Sequence, residues 1–294
     1  MQIGIGLKEH AYTPEAYAYK RYLEANGVSV QLESELSIDP NNDVNIFFMG
    51  LRPFWRRYKG SAKEIHEYQS LSINPHAKFK DFLKKSLNKK PSGRIFLNDI
   101  VKSGMSFKDS TPYVYRDMGV DDELFQKPLP SPEFDIVYCG SIIGRPGLIE
   151  ELTRLANLGF KLLIVGSVNN EVAEKFKGYS NIQLTGRVDR DEIPSLYKQC
   201  RSGLNFTPDI YPFNIQTSTK TLEYLASGLN VITNKYEWVN SFSKIEGYNF
   251  LYLDNIKEYI CFDLASYSPE KIEKYSWSNI LTEANLLNFI NSLD

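Results

Sequence analysis

Lys220 and Glu223 stand three residues apart in "TSTKTLEYLASGLNVIT" (217–233), a stretch that opens like a helix and stops at a glycine before a strand. Thr217 or Ser218 can cap the helix, because a hydroxyl satisfies free N–H groups of the first turn. Those N–H groups and the helix dipole favour an anion. Lys220 falls in that first turn, where a cation is usually unfavourable. The misfit resolves if a phosphate binds there. Glu223 lies on the same face, and its carboxylate can accept hydrogen bonds from two neighbouring hydroxyls, as a ribose offers. Gly228 then supplies the left-handed residue that ends the helix. The competing reading of this spacing is a solvent-facing Lys–Glu pair.

Two other stretches carry related chemistry. "YCGSIIGRPGLIEEL" (138–152) reads as strand, glycine-bearing loop and helix. Its glycines allow close backbone approach to a ligand, while Ser141 and Arg145 add a hydroxyl and a cation. The glycine spacing differs from G-x-G-x-x-G, so no dinucleotide fingerprint is read. "NIQLTGRVDRDEIPSLYKQC" (181–200) sets Arg187 and Val188 after a strand and before an acidic helix start. All three loops follow strand ends, which is where an open α/β sheet binds its ligand.

Alternating elements must position these residues. "MQIGIGL", "VSVQL" and "VNIFFMG" read as strands, with a helix at 14–27 between the first two. That alternation predicts a parallel sheet covered by helices. "KPLPSP" (127–132) reads as a stiff connector, and "FDIVYCGS" restarts the pattern. The expected organisation is an N-terminal α/β domain over 1–127, a linker over 128–133, a second α/β domain over 134–267 and closing helices over 268–294, able to pack back on the first domain. Three widely spaced cysteines give neither metal spacing nor a disulfide framework. Lys8, Glu9 and His10 interrupt any signal-peptide pattern, and no apolar run approaches the ~20 residues of a membrane span.

The order of the pieces resembles the nucleotide-binding half of a GT-B glycosyltransferase, close to family 4 (group 1). "YCGSIIGRPGLIEEL", "LLIVG", "NIQLTGRVDRDEIPSLYKQC", "TSTKTLEYLASGLNVIT" and "YSW" (275–277) carry the resemblance, with "IHEYQS" and "YRDMGVDDELF" as weaker matches in the first half. It implies an α/β fold of two Rossmann-like domains whose parallel sheets face a central cleft. It implies a hexosyltransferase-type enzyme moving a sugar from a nucleotide-diphosphate donor to a glycan acceptor, lipid-linked acceptors included, in bacterial surface polysaccharide assembly. Glu223 matches the residue that grips the donor ribose. Arg145 and Lys220 match the groups facing the diphosphate, and Arg187 and Val188 lie where the family meets the base. Ser141 and Ser218 belong to the same donor set. Gly6, with Gly4, is placed in a loop after the first strand. His66 matches an N-domain histidine near the reacting sugar, with Glu67 and His10 as further candidates for a general base. The family often carries an acidic residue eight positions before the ribose glutamate; here that position is Ile215. Asn214, Gln216 and Thr217 are expected to replace it with neutral hydrogen bonds.

No metal is expected, because Arg145, Lys220 and a helix N-terminus would stabilise the departing diphosphate instead. Two rivals remain: a non-catalytic GT-B-like partner of an active enzyme, and a sugar-nucleotide epimerase, which Ile215 argues against. Charge is uneven. Residues 1–127 carry 19 basic and 16 acidic side chains, the remainder 15 and 20. Residues 76–94 hold six Lys and one Arg against one Asp, interleaved with Phe79, Phe82, Leu83 and Leu87, and "FWRRYKG" (54–60) adds three aromatic residues and three cations. This segment reads either as a face for an anionic membrane or as a helix packed on its own sheet with solvated lysines. The expected location is cytoplasmic, at the inner face of the cell membrane. Nucleic acid is not an expected partner, since the chain is slightly acidic and bears no such motif.

Overall fold

The computed structural model describes residues 1–8, 13–56, 60–72, 75–265 and 268–293. The chain divides into two compact units, Met1–Gly119 with Ser276–Asp294, and Val120–Tyr275.

The first unit begins β1 (Gln2–Leu7), α1 (Pro14–Ala25), β2 (Ser29–Ser34), β3 (Val44–Phe48), β4 (Lys63–Tyr68) and α2 (Ala77–Leu87). It continues with β5 (Gly93–Phe96), α3 (Asp99–Met105) and β6 (Tyr113–Tyr115). The strands form one parallel sheet in the order β2-β1-β3-β4-β5-β6. Every residue of β3 and β5 is buried, as strands of a sheet covered on both faces should be, with Asn45 and Arg94 as polar exceptions among apolar neighbours. α1 starts with Pro14 in its first turn and buries Ala16, Ala18, Tyr19 and Leu23.

Gly4 and Gly6 lie within β1, not in a loop after it. Their lack of a side chain is a packing requirement. A β-carbon at Gly6 would meet the Phe47 ring at 2.9 Å, and one at Gly4 would overlap the Asn45 side chain.

The second unit holds β7 (Phe134–Cys139), α4 (Leu148–Asn157), β8 (Leu162–Val165), α5 (Asn170–Phe176), β9 (Ile182–Gly186) and α6 (Ile193–Tyr197). It continues with β10 (Cys200–Asn205), α7 (Thr219–Ala226), β11 (Asn230–Thr233), α8 (Glu237–Glu246), β12 (Leu251–Tyr252) and α9 (Pro269–Ile272). Its sheet is also parallel, in the order β12-β11-β10-β7-β8-β9. α4 presents Leu148, Leu152 and Leu155 at i, i+4 and i+7 to a core with Ile136, Tyr138, Leu162 and Ile164. Cys200 is the first residue of β10.

The proline-rich stretch 127–132 lies inside this unit. The N–H groups of Gln126 and Leu129 bond to the carbonyls of Ala226 and Lys198, at 3.2 and 2.8 Å. The chain then returns to the first unit as α10 (Trp277–Glu283) and α11 (Leu286–Asn291). Trp277 packs over Gly119, and Phe289 over Gly93.

Candidate functional site

β7 leads through β8 to β9 on one side of the second sheet, and β10 leads through β11 to β12 on the other. The strand order reverses between β7 and β10, and an open parallel sheet forms its ligand crevice at the carboxyl ends of such a pair. Three of the sequence-flagged segments converge there.

α7 is held against this point by Tyr224. Its ring sits where Gly203 of β10 has no side chain, and its hydroxyl accepts from the Cys139 N–H at 3.2 Å. Of the two candidate caps, Ser218 is the one used: its Oγ accepts from the Thr221 N–H at 3.3 Å. The C-terminus closes as the sequence predicts. Gly228 adopts φ +67°, its N–H bonds to Leu225 O at 3.1 Å, and the Leu229 N–H bonds to Tyr224 O at 2.9 Å.

This anchoring places Lys220 and Glu223 at the end of β7, half-buried rather than on an open surface. Lys220 lies against Gly140, and its ammonium is 5.9 Å from the centre of the Tyr138 ring. Burial, then the charge of Arg145, pull its pKa below the lysine range. Burial pushes Glu223 above the usual carboxylate range, against the pull of Lys220 and Arg190. The Tyr197 hydroxyl donates to Glu223 Oε2 at 3.3 Å.

Arg145 spans the switch point, reaching from the loop after β7 to donate to the Phe206 carbonyl after β10 at 2.7 Å. Two cations therefore meet beside a helix N-terminus whose first turn carries no acidic residue. Such an arrangement attracts an anion.

The remaining residues take varied positions. Ser141 is exposed and donates to the Ile143 carbonyl at 3.2 Å. Arg187 is exposed and Val188 half-buried, just past the end of β9. Asn214, Gln216 and Thr217 are half-buried in the segment leading into α7. Asn214 Oδ1 and Gln216 Nε2 are shielded from solvent and have no hydrogen-bond partner.

Sequence reasoning missed Asn205, at the end of β10. It is buried, donates to Tyr236 at 2.8 Å and accepts from Ser218 at 3.0 Å, tying the cap of α7 to the sheet. A polar residue ending an apolar strand is the signal that would have found it. Tyr197 and Cys139 were also missed; burial, then the Glu223 charge, push both groups up.

In the first unit, His66 and Glu67 occupy the middle of β4 and are fully buried. Glu67 is ion-paired with Arg116 and accepts from the Tyr19 hydroxyl at 2.6 Å. His66 Nε2 lies 3.2 Å from Glu64, and burial pulls the imidazole pKa down. Neither side chain reaches solvent in this structure, where both are internal polar groups, while the resemblance implies a general base among them. Gly6 likewise serves sheet packing. His10 lies outside the described residues, as do residues 57–59 of "FWRRYKG".

Asp189 and Asp191 have D-x-D spacing and are both exposed, while Arg190 between them pairs with the buried Asp121. Among the described residues, no three or more His, Cys, Asp or Glu gather in a way that could hold a metal ion.

Residues 133–251 match the family model described as "Glycosyl transferases group 1". The matched residues lie within the second unit, which is therefore similar to the group 1 glycosyltransferases. The chain as a whole is similar to sucrose-phosphate synthase from Thermosynechococcus elongatus, with a TM-score of 0.69, 12% identity and 100% of both chains covered. It is similar to Anabaena HepE in complex with UDP and glucose, with a TM-score of 0.65, 12% identity and 99% of both chains covered. WaaG, a glycosyltransferase involved in lipopolysaccharide biosynthesis, aligns with a TM-score of 0.57 and 12% identity over 100% of this chain and 94% of its own. These likenesses show the fold, an α/β GT-B arrangement of two units with parallel sheets. No curated protein matches the sequence. Sugar transfer is the reaction class that the family assigns to this domain.

Proposed function

We propose that the transferase takes its sugar from a nucleoside-diphosphate donor bound at the β7/β10 switch point and passes it to a glycan. The observation that carries this reading is the placement of Lys220, Arg145 and Glu223 around one helix N-terminus at that point. Lys220, Arg145 and the free N–H groups of α7 face the diphosphate, and Glu223 accepts from the ribose hydroxyls. Arg187 and Val188 lie toward the base, and Ser141 lines the loop beside the phosphates. Asn214, Gln216 and Thr217, half-buried ahead of α7, meet the sugar through neutral hydrogen bonds.

In the transfer step, the bond between the anomeric carbon and the phosphate oxygen breaks, and its electron pair leaves with the diphosphate. The acceptor oxygen bonds to the anomeric carbon and passes its proton to the departing diphosphate oxygen. Lys220, Arg145 and the helix N-terminus stabilise the charge growing on the leaving group, so no metal is required. The acceptor is a glycan carried on a lipid, and the setting is surface polysaccharide assembly at the inner face of the cell membrane. HepE, similar in fold, is solved with UDP and glucose, and WaaG is involved in lipopolysaccharide biosynthesis.

The test is release of nucleoside diphosphate from UDP-, GDP-, dTDP-, CDP- and ADP-sugars, with and without a chelator. Slow hydrolysis of one donor class, unchanged by the chelator, supports the reading. A requirement for added divalent metal contradicts its metal independence, and no turnover of any donor contradicts the donor assignment.

A further inference from the structure

α2 is built the wrong way round for a helix that covers a sheet. None of its residues is buried. Phe79 and Phe82 are 59% and 55% exposed, although an amphipathic helix of a water-soluble domain normally turns such rings inward. The less exposed side mixes charge with Leu83 and Leu87. Asp81 accepts from the Ser72 N–H at 3.0 Å and lies 3.8 Å from the Lys84 ammonium. Lys84 and Lys85 are less exposed than the phenylalanines, while Lys78, Lys80 and Ser86 share the outer side with them.

A second apolar segment is stitched to the end of this helix. The N–H of Phe54 bonds to the Leu87 carbonyl at 2.8 Å, the N–H of Lys89 to the Arg52 carbonyl at 2.8 Å, and the N–H of Arg52 to Asn88 Oδ1 at 2.7 Å. These bonds fix Leu51, Phe54 and Trp55 beside α2, at 59%, 62% and 59% exposed. Phe54 and Trp55 meet edge to face, 5.2 Å between ring centres. Arg56 and Lys90 are exposed at the margins. Five large apolar side chains in solvent, ringed by cations, are costly in water unless something covers them.

We infer that α2 and the 51–55 segment form a docking face for a phospholipid bilayer with anionic headgroups. Aromatic side chains settle at the headgroup level, and the lysines meet lipid phosphates. The combination of apolar rings and surrounding positive charge is what an interfacial helix needs, and a neutral protein groove would leave the cations unmatched. The face belongs to the first unit alone and stands whether or not the donor assignment is right.

The test uses the full chain with vesicles of phosphatidylcholine alone, and of equal parts phosphatidylcholine and phosphatidylglycerol. Co-sedimentation is expected only with the anionic vesicles and is weakened by salt. Phe79→Ser with Phe82→Ser lowers binding at least about tenfold, because two interfacial anchors are lost. Neutralising Lys78, Lys80 and Lys90 lowers it by about fivefold per cation. Both variants keep the wild-type circular dichroism and donor hydrolysis, since the altered side chains are exposed. Absence of binding to anionic vesicles, or equal binding by the Phe79→Ser/Phe82→Ser variant, overturns the inference.

Discussion

The ammonium of Lys220 lies against Gly140, where a β-carbon would meet Lys220 Cε and Nζ at 2.9 Å. Gly140 also holds φ +131°, a conformation that L side chains rarely adopt. The glycine after β7 thus makes room for the cation of α7. Gly140→Ala is expected to cost about 1–3 kcal/mol of stability from the backbone alone. It also displaces the Lys220 ammonium, so nucleoside-diphosphate affinity falls by more than the stability loss explains. Chemical denaturation and calorimetry on the same variant check both parts.

Donor binding should follow a narrow bell against pH. Binding needs Lys220 charged, and its pKa is lowered, so affinity falls as pH rises before it reaches the ordinary lysine value of about 10.4. Binding also needs Glu223 ionised, and its pKa is raised, so affinity falls as pH drops while still above the ordinary value of about 4.3. Linkage gives the matching stability signs for the free protein. Between the lowered and ordinary lysine values the unfolded chain holds more protons, so the Lys220 contribution improves as pH rises. Between the ordinary and raised carboxylate values the folded chain holds more, so the Glu223 contribution worsens as pH rises. Affinity that holds flat up to the ordinary lysine value and down to the ordinary carboxylate value contradicts this account.

In the first unit, Arg116 and Glu67 are both fully buried and paired, and Arg116 Nε donates to the Tyr19 hydroxyl at 2.8 Å. Removing one partner leaves an uncompensated buried charge. Arg116→Met is expected to destabilise the protein by about 3–5 kcal/mol, and Arg116→Met with Glu67→Gln by less. Denaturant titration measures both. A Glu67→Gln variant with unchanged stability and abolished transfer would instead restore Glu67 as the catalytic base.

Glu64 gives a related contrast. Burial pushes its carboxyl up, but hydrogen bonds from His66 and Arg52, with the charges of Arg52 and Lys89, outweigh that and hold it far below the carboxylate range. It therefore stays ionised at any pH where the protein is assayed. Glu64→Gln should leave transfer unchanged in pH profile while lowering stability, a combination that a titrating catalytic acid would not give.

Much of the second unit is legible in the chain because its signals are local. The cap at Ser218, the glycine at 228 and the apolar face of α4 are each set by residues within a few positions. The strand at Cys200 is not legible, because the preceding helix pattern runs straight into it and pairing with Phe134 decides the boundary. The pairing of Glu67 with Arg116 joins residues 49 apart, and no local pattern announces it. "IHEYQS" invites a catalytic histidine, yet its side chains are taken up by β4 and the partners around it. The glycines of β1 mislead for the same reason, since a distant ring at Phe47 and not a ligand sets their size. In α2 the lysine and phenylalanine spacing is plain, but which side faces water depends on Ser72 and Leu87 bonds outside any periodicity.

The most direct test of the central claim is calorimetric titration of UDP, GDP, dTDP, CDP and ADP against wild type and Glu223→Ala. The account predicts that one nucleotide binds the wild type and loses roughly 10- to 100-fold in affinity in the variant, the worth of hydrogen bonds to a charged acceptor. Equal binding by both proteins, or no binding of any nucleotide, would contradict the placement of a ribose on Glu223 and a diphosphate on Lys220.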